Sequence, residues 1–160
     1  MLYYKVIGSM SLLVSGLWVY SMHTSFQKRK LKQLDAYIKL ISHIKTQIEC
    51  YMLPINSIIG SCSLDLLKNC GIDDPKRIKD LKELLNCANL ILEKEIIELL
   101  YQFAEDFGMG YREEQLNSCE RVISKMMTYR DEFQKKHEKD KRVSLAICMS
   151  LTLSLILILI

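Results

Sequence analysis

The sequence predicts an all-helical protein in which two membrane-spanning helices bracket a helical domain. Three observations support this prediction. Apolar residues in the middle of the chain recur at three- and four-residue steps, the period of an amphipathic helix rather than a strand. Both ends contain long apolar runs free of charged residues, 6–22 and 143–160. No alternation of strand and helix patterns, no repeat and no low-complexity tract is found in the chain.

The two apolar runs are predicted to span a bilayer as residues 1–22 and 143–160, with a helical domain over 23–142 between them. Each run is about long enough for ~30 Å of hydrocarbon at ~1.5 Å per residue. A cleaved secretory signal is the alternative for the first run, because Lys5 precedes it. Against cleavage, no A-x-A site closes the run, and the basic "QKRK" follows it.

Clusters of cations flank both predicted spans on the side of the central domain. They are Lys28, Arg29, Lys30 and Lys32 after the first span, and Lys135, Lys136, Lys139, Lys141 and Arg142 before the second. Because Lys and Arg near a span stay cytoplasmic, we expect a cytoplasmic domain with both termini outside. These cations are also suited to anionic lipid head groups. Residues 33–134 hold twelve Lys/Arg against seventeen Asp/Glu, a balance that disfavours nucleic acid as a partner.

The domain is predicted to begin with one long helix continuous with the first span, since no Gly or Pro interrupts residues 17–53. Its apolar stripe comprises Leu31, Leu34, Ile38, Ile41, Ile48 and Met52, widened by Tyr37, Ile44 and Tyr51. Pro54 ends this helix, because the residue before a proline avoids helical dihedrals. Pro54 also starts a short helix, "PINSIIGSC".

Three more helices are predicted before the last one. The segment "SLDLLKNCG" forms a short helix that Gly71 stops. Asp74 as N-cap and Pro75 at the first position start the next helix. Its inner face comprises Ile78, Leu81, Leu84 and Leu85. After a break near Asn86 and Asn89, a further stripe comprises Leu92, Ile96, Leu99, Leu100, Phe103 and Phe107.

The stretch "FGMGYREEQLNS", residues 107–118, is predicted to reverse the chain. Gly108 fits a left-handed position at a helix end, and Gly110 fits the N-cap of the next helix. Glu113 and Glu114 then lie in the first helical turn, where the helix dipole favours carboxylates. The last helix carries Leu116, Cys119, Ile123, Met126 and Phe133 on one side. Packing of all stripes within one chain gives a bundle, and a coiled-coil dimer is the alternative.

No enzyme, cofactor, metal site or small-molecule substrate is predicted. The chain has no Gly-rich phosphate loop, and no serine has a histidine partner suggested by spacing. Its six cysteines include no C-x-x-C pair, so we expect reduced thiols rather than a disulfide framework or zinc site. The acidic residues of 93–106 predict a solvated face or, alternatively, a surface for a basic partner. Met126-Met127 is expected to fill core space or to form an adaptable contact.

Two segments carry a resemblance to a known family. They are "SHIKTQIECYMLPINSII", residues 42–59, and "FAEDFGMGYREEQLNSCERVI", residues 103–123. Together with a charged last helix that enters an apolar tail, they make the whole chain resemble the stage III sporulation protein AB family of spore-forming bacteria. At Gly110 and Tyr111 that family commonly has a Ser-Asp pair, so this chain lacks a side-chain cap there.

The resemblance implies a non-enzymatic platform subunit of the channel that joins mother cell and forespore. The family is similar to inner-membrane platform proteins of type II secretion and type IV pilus machines. Its implied location is the mother-cell membrane, and its implied partners are the channel's secretion-type ATPase and other channel membrane proteins. We nominate Arg112, Glu113, Glu114 and Gln115 as the partner-binding residues. The alternative is a generic membrane-anchored scaffold or regulatory adaptor unrelated to sporulation.

Overall fold

Six helices make up the part of the chain that the computed structural model describes, which is residues 2–51, 55–72, 78 and 80–159. They are α1 (Leu2–Tyr51), α2 (Ile55–Ser61), α3 (Leu64–Cys70), α4 (Leu81–Cys87), α5 (Lys94–Asp106) and α6 (Arg112–Leu159). The side chains of Asn56 and of some residues within 2–23 and 141–159 lie outside this description. No strand occurs among the described residues, which confirms the all-α class.

The chain divides into two compact units. The first comprises residues 1–29 and 132–160, and the second comprises residues 30–131. Across the described residues, no helix offers a stretch long and apolar enough to cross a membrane. The predicted spans, 1–22 and 143–160, fall mainly on residues whose side chains lie outside the description, and they stay a prediction.

The inner face of α1 lies in the core of the second unit. Its buried side chains follow the predicted stripe and include Leu34, Tyr37, Ile38, Ile41, Ile44 and Ile48. The prediction for Tyr51 is wrong: it is 68% exposed, because it is the last residue of α1 and lies beyond the last buried turn. Met52 and Pro54 lie outside the described residues.

Helices α2 and α3 confirm the two predicted short helices. Ser63 caps α3, because its Oγ accepts the backbone N–H of Leu66. Gly71, at φ +93°, ends α3 in a left-handed conformation. The N–H of Gly71 donates to the carbonyl of Lys68, and that of Ile72 to the carbonyl of Leu67. These two bonds form a Schellman motif, which satisfies carbonyls that the helix end leaves without partners.

The predicted start of α4 at Asp74 and Pro75 is wrong. Both residues lie outside the described ones, but Ile78 is buried and not helical, and α4 begins only at Leu81. Asp80 is the N-cap, and its Oδ1 accepts the N–H of Glu83 at 2.7 Å. Asp80 and Glu83 have the Asp-x-x-Glu spacing of a capping box, a stronger local start signal than Asp74-Pro75. α4 ends at Cys87, which confirms the break predicted near Asn86 and Asn89.

Helices α5 and α6 complete the core of the second unit. Ile96, Leu100 and Phe103 of α5 are buried, together with Leu92, which precedes that helix. On α6 the fully buried residues are Cys119, Val122 and Met126. The predicted residues Leu116, Ile123 and Phe133 are only half-buried. Val122, which was not predicted to face the core, is buried. Met126 therefore fills core space, whereas Met127 is exposed.

A buried amide ties α1 to the end of α3 and to the loop between α4 and α5. Gln33 is 4% exposed, and its Nε2 donates to the carbonyls of Cys70 (3.0 Å) and Asn89 (2.8 Å). Its Oε1 accepts the N–H of Ile91 at 2.9 Å. The hydroxyl of Tyr37, one turn along α1, also donates to the Cys70 carbonyl. Buried polar groups need such partners, so this network fixes the register of α1 against both segments.

A candidate interaction surface at the α5–α6 turn

The chain reverses between α5 and α6 through a type II β-turn. Phe107 is extended (φ −68°, ψ 128°), Gly108 has φ +88°, and the N–H of Met109 donates to the carbonyl of Asp106 at 3.3 Å. These dihedrals are those of positions i+1 and i+2 of a type II turn, in which glycine is favoured at i+2. The left-handed prediction for Gly108 is confirmed. The turn follows α5 rather than forming the Schellman cap seen at Gly71.

The prediction that Gly110 is the N-cap of the last helix is wrong. α6 begins at Arg112, so Tyr111 is the N-cap, and its carbonyl accepts the N–H of Gln115 at 3.0 Å. The side chain of Glu114 folds back, and its Oε2 accepts the N–H of Tyr111 at 3.1 Å. This bond is the second half of a capping box and needs no capping side chain at position 111.

Gly110 instead leaves room for the carboxylate of Glu114. A Cβ there would lie 2.5 Å from Oε2 of Glu114, the oxygen that caps the helix. The amide nitrogen of Gln115 also donates to the carbonyl of Gly110 at 2.9 Å. A larger residue at 110 would therefore displace Glu114 from the N–H of Tyr111.

Arg112 joins the start of α6 to the end of α1. Its Nε donates to the carbonyl of Ile48 at 3.3 Å, and its NH2 group donates to the carbonyl of Glu49. Both carbonyls are in the last turn of α1, where the helix leaves acceptors unpaired and its dipole favours a cation. Spacing along the chain could not predict this contact, because 63 and 64 positions separate the partners.

The four nominated partner-binding residues therefore lie together but differ in role. Arg112, Glu114 and Gln115 use their side chains to build the turn and its junction with α1. Glu113 is exposed and forms no ion pair in the described part of the chain. Two neighbours that were not nominated project furthest into solvent: Met109 is 86% exposed and Tyr111 84%.

A furrow between α5 and α6 runs up to this turn. It contains two open hollows of about 190 and 240 Å³. Asp106, Ser118 and Arg121 line both hollows, and Lys125 lines the larger one. No ion pair joins Asp106 and Arg121 within the described residues, so both charges are able to contact a partner.

The acidic residues of 93–106 are largely paired within the second unit. Glu93 faces Lys30 at 3.9 Å, and Glu105 contacts Lys82 at 3.0 Å. Glu98 contacts Lys94 one turn away at 3.6 Å. Burial, reinforced by a hydrogen bond to Glu93, also raises the pKa of the Tyr129 hydroxyl. The face is therefore mostly neutralised locally, and Asp106 at its end is the carboxylate that lines the furrow.

A serine–histidine contact that the sequence did not predict lies between α1 and α2. His43 Nε2 of α1 lies 3.0 Å from Oγ of Ser61, at the end of α2. Ser61 Oγ donates its only proton to the carbonyl of Ile58 at 2.7 Å. His43 must then donate to Ser61, which is the opposite of what activates a nucleophile. We assign this pair to the packing of α2 against α1.

The cysteines show no arrangement suited to metal binding or disulfide chemistry in the part of the chain that the structure describes. Cys70 and Cys119 are buried, and burial raises the pKa of the Cys70 thiol to about 12 and that of Cys119 to about 11. Thiols in this environment stay protonated and unreactive. Within the described residues, no three His, Cys, Asp or Glu side chains are placed to hold a metal ion.

Most of the predicted membrane-flanking cations are exposed to solvent and lie outside the core. Lys28, Arg29, Lys32, Lys135, Lys136 and Lys139 are exposed. Lys30 is half-buried beside Glu93, and the side chains of Lys141 and Arg142 lie outside the description.

Comparison with known proteins found no relative of this chain. No protein-family model, no curated protein and no solved structure matches the chain.

Proposed function

We propose that the chain is a non-enzymatic platform subunit of a secretion-like channel between mother cell and forespore. It is held in the mother-cell membrane by residues 1–22 and 143–160, with the helical domain in the cytoplasm. The observation that carries the proposal is the segment 103–123. Its sequence is the most specific part of the family resemblance, and it forms an exposed turn braced by Arg112, Glu114 and Gln115.

The helix pattern supports a platform role. α1 and α6 are uninterrupted over 50 and 48 residues, and each contains both a predicted span and part of the packed second unit. A partner that moves the second unit therefore acts on helices that themselves enter the membrane. The partner in this proposal is the channel's secretion-type ATPase, which contacts the domain at the α5–α6 turn.

Co-purification tests this function. The full chain carries an affinity tag and is recovered from crosslinked membranes of sporulating cells, with an unrelated two-span protein as control. We expect the channel ATPase and other channel membrane proteins in the recovered complex. Deletion of the chain should abolish heat-resistant spores, and the full chain should restore them.

The generic adaptor predicts different results. It is expressed during vegetative growth, its deletion leaves sporulation intact, and it recovers partners unrelated to the channel. Absence of the ATPase from crosslinked complexes, together with normal spore yield in the deletion strain, rejects the platform role.

A further inference from the structure

We infer that the α5–α6 turn binds a protein segment that combines apolar side chains with Lys or Arg. The contact surface, which we call the apolar tip, consists of Met109, Tyr111, Glu113 and Asp106. This inference rests on the proposed function, because it names the chemistry of the partner at the same turn. In this inference the partner contacts the residues that the turn exposes to solvent, instead of Arg112, Glu114 and Gln115, whose side chains hold the turn together.

Met109 and Tyr111 are the apolar anchors. No other large hydrophobic residue whose exposure is described exceeds their values of 86% and 84%. Single exposed apolar residues are ordinary, but these two lie two positions apart on a turn of fixed conformation. The Asp106–Met109 bond and the Glu114–Tyr111 bond hold their backbone. Because the backbone is already ordered, binding costs less conformational entropy than it would on a loose loop.

The charges beside these anchors select a basic partner. Asp106 and Glu113 have no ion pair within the described residues, and only one oxygen of Glu114 is used by the cap. Two cations lie near these carboxylates. Arg112 is held by the carbonyls of Ile48 and Glu49, and Arg121 lines the furrow with Asp106 but forms no ion pair with it. A Lys or Arg from a partner therefore meets carboxylates at the tip that form no ion pair within the described residues.

The same charges argue against a lipid surface as occupant. Anionic head groups attract basic segments, and carboxylates beside the anchors repel them. The exposed cations suited to lipid are elsewhere in sequence, at Lys28, Arg29, Lys135, Lys136 and Lys139. A protein segment is thus the occupant that fits both the apolar and the acidic parts of the tip.

Site-specific photocrosslinking of the full chain in membranes of the bacterium that makes it tests the inference. A photoreactive amino acid replaces Met109 or Tyr111, and in a control it replaces Leu64, which is 63% exposed on α3. Adducts are mapped by mass spectrometry. We expect adducts at 109 and 111, but not at 64, with a protein segment that carries several Lys or Arg. Glu113→Lys should reduce their yield about tenfold, through like-charge repulsion.

Glu132→Lys is the matched charge reversal, because Glu132 is exposed on α6 outside the tip. It should leave the adducts unchanged. Adducts with lipid alone, with an acidic segment, or with equal yield at position 64 overturn the inference, as does an unchanged yield with Glu113→Lys. A basic partner from outside the channel keeps the inference and rejects the proposed function. Recovery of the ATPase without adducts at 109 and 111 supports the proposed function and rejects the inference.

Discussion

The fold leaves no room for a side chain at Gly71. It has φ +93°, and a Cβ would lie 2.7 Å from the Asn89 carbonyl oxygen and 2.8 Å from Nε2 of Gln33. Gly71→Ala therefore combines backbone strain with displacement of the buried amide network. We expect a loss of about 3 kcal/mol in the free energy of unfolding. The measurement is denaturant unfolding of the full chain in detergent. The fraction of unfolded chain at each denaturant concentration is read from chemical labelling of the Cys70 thiol.

Gly60→Ala is the control for this substitution. Gly60 lies inside α2, and no packing neighbour lies within 4 Å of the position that an alanine methyl would take. Alanine is the better helix former, so we expect no loss, or a gain of about 0.5–1 kcal/mol. Equal stability of the Gly71 and Gly60 variants would show that the Schellman motif and the Gln33 network contribute little.

The buried thiols predict a loss of stability at alkaline pH. Folding raises the pKa of Cys70 to about 12 and that of Cys119 to about 11, chiefly by burial. In the unfolded chain both thiols ionise near pH ~8.5. Above that pH the unfolded state binds fewer protons than the folded state, so stability falls as pH rises towards the folded values. The slope reaches about 1.4 kcal/mol per pH unit for each thiol.

Cys119→Ala separates this effect from general alkaline denaturation. The variant should start less stable, because it loses buried volume, but its stability should fall less steeply between about pH 9 and 10. The free energy of unfolding is measured at each pH for both chains. Identical slopes would contradict the assignment of the pH dependence to the thiols.

At the scale of elements, the α5–α6 turn depends on the left-handed conformation of Gly108. Nothing lies within 4 Å of a Cβ at that position, so packing plays no part in the effect of a substitution. Gly108→Val should cost about 1–2 kcal/mol from backbone strain alone. Gly108→Asn should cost less, because asparagine tolerates position i+2 of a type II turn. Equal unfolding midpoints for glycine, asparagine and valine would reject the turn geometry.

The junction of α1 with α6 depends on the forked guanidinium of Arg112. Arg112→Gln should destabilise the second unit by about 1–2 kcal/mol, because carbonyls of the last turn of α1 lose a charged donor. Arg112→Lys keeps the charge but cannot reach both carbonyls in one plane, so it should recover only part of the loss. Hydrogen exchange in residues 44–51 is the local readout. Full recovery with lysine would mean that charge alone matters.

The sequence was most informative where the signals are local. Helical spacing predicted the buried face of α1, and Gly71 predicted the end of α3. Gly108 predicted a left-handed position, because few residues other than glycine adopt that conformation. The start of α4 was misassigned because two aspartates, Asp74 and Asp80, both precede plausible first turns. The capping-box spacing of Asp80 and Glu83 favours the second aspartate, and so does the tertiary packing that keeps Ile78 buried outside a helix.

The sequence predicted where the candidate site lies in the chain, but not what each of its residues does. The acidic turn after Gly110 marked the start of α6, yet the contacts of Arg112 and Gln33 join residues far apart in sequence. Such pairs follow from how helices meet, which no local pattern encodes. The exposure of Met109 and Tyr111 has the same origin, because apolar residues beside a helical stripe are indistinguishable in sequence from core residues.

At the scale of the whole molecule, the proposed function requires that the flanking cations set the orientation of both ends. With the natural clusters, a reporter fused to either terminus should report the outside of the cytoplasmic membrane, since Lys and Arg near a span are retained inside. Replacement of Lys135, Lys136 and Lys139 by Gln removes exposed charges that form no ion pair within the described residues. We expect part of the population then to place the carboxyl terminus in the cytoplasm. The matched control replaces Lys68, Lys82 and Lys94, three exposed lysines distant in sequence from both runs, and should leave the orientation unchanged. A cytoplasmic carboxyl terminus in the natural chain, or its release from membranes without detergent, would contradict double anchoring and with it the platform role.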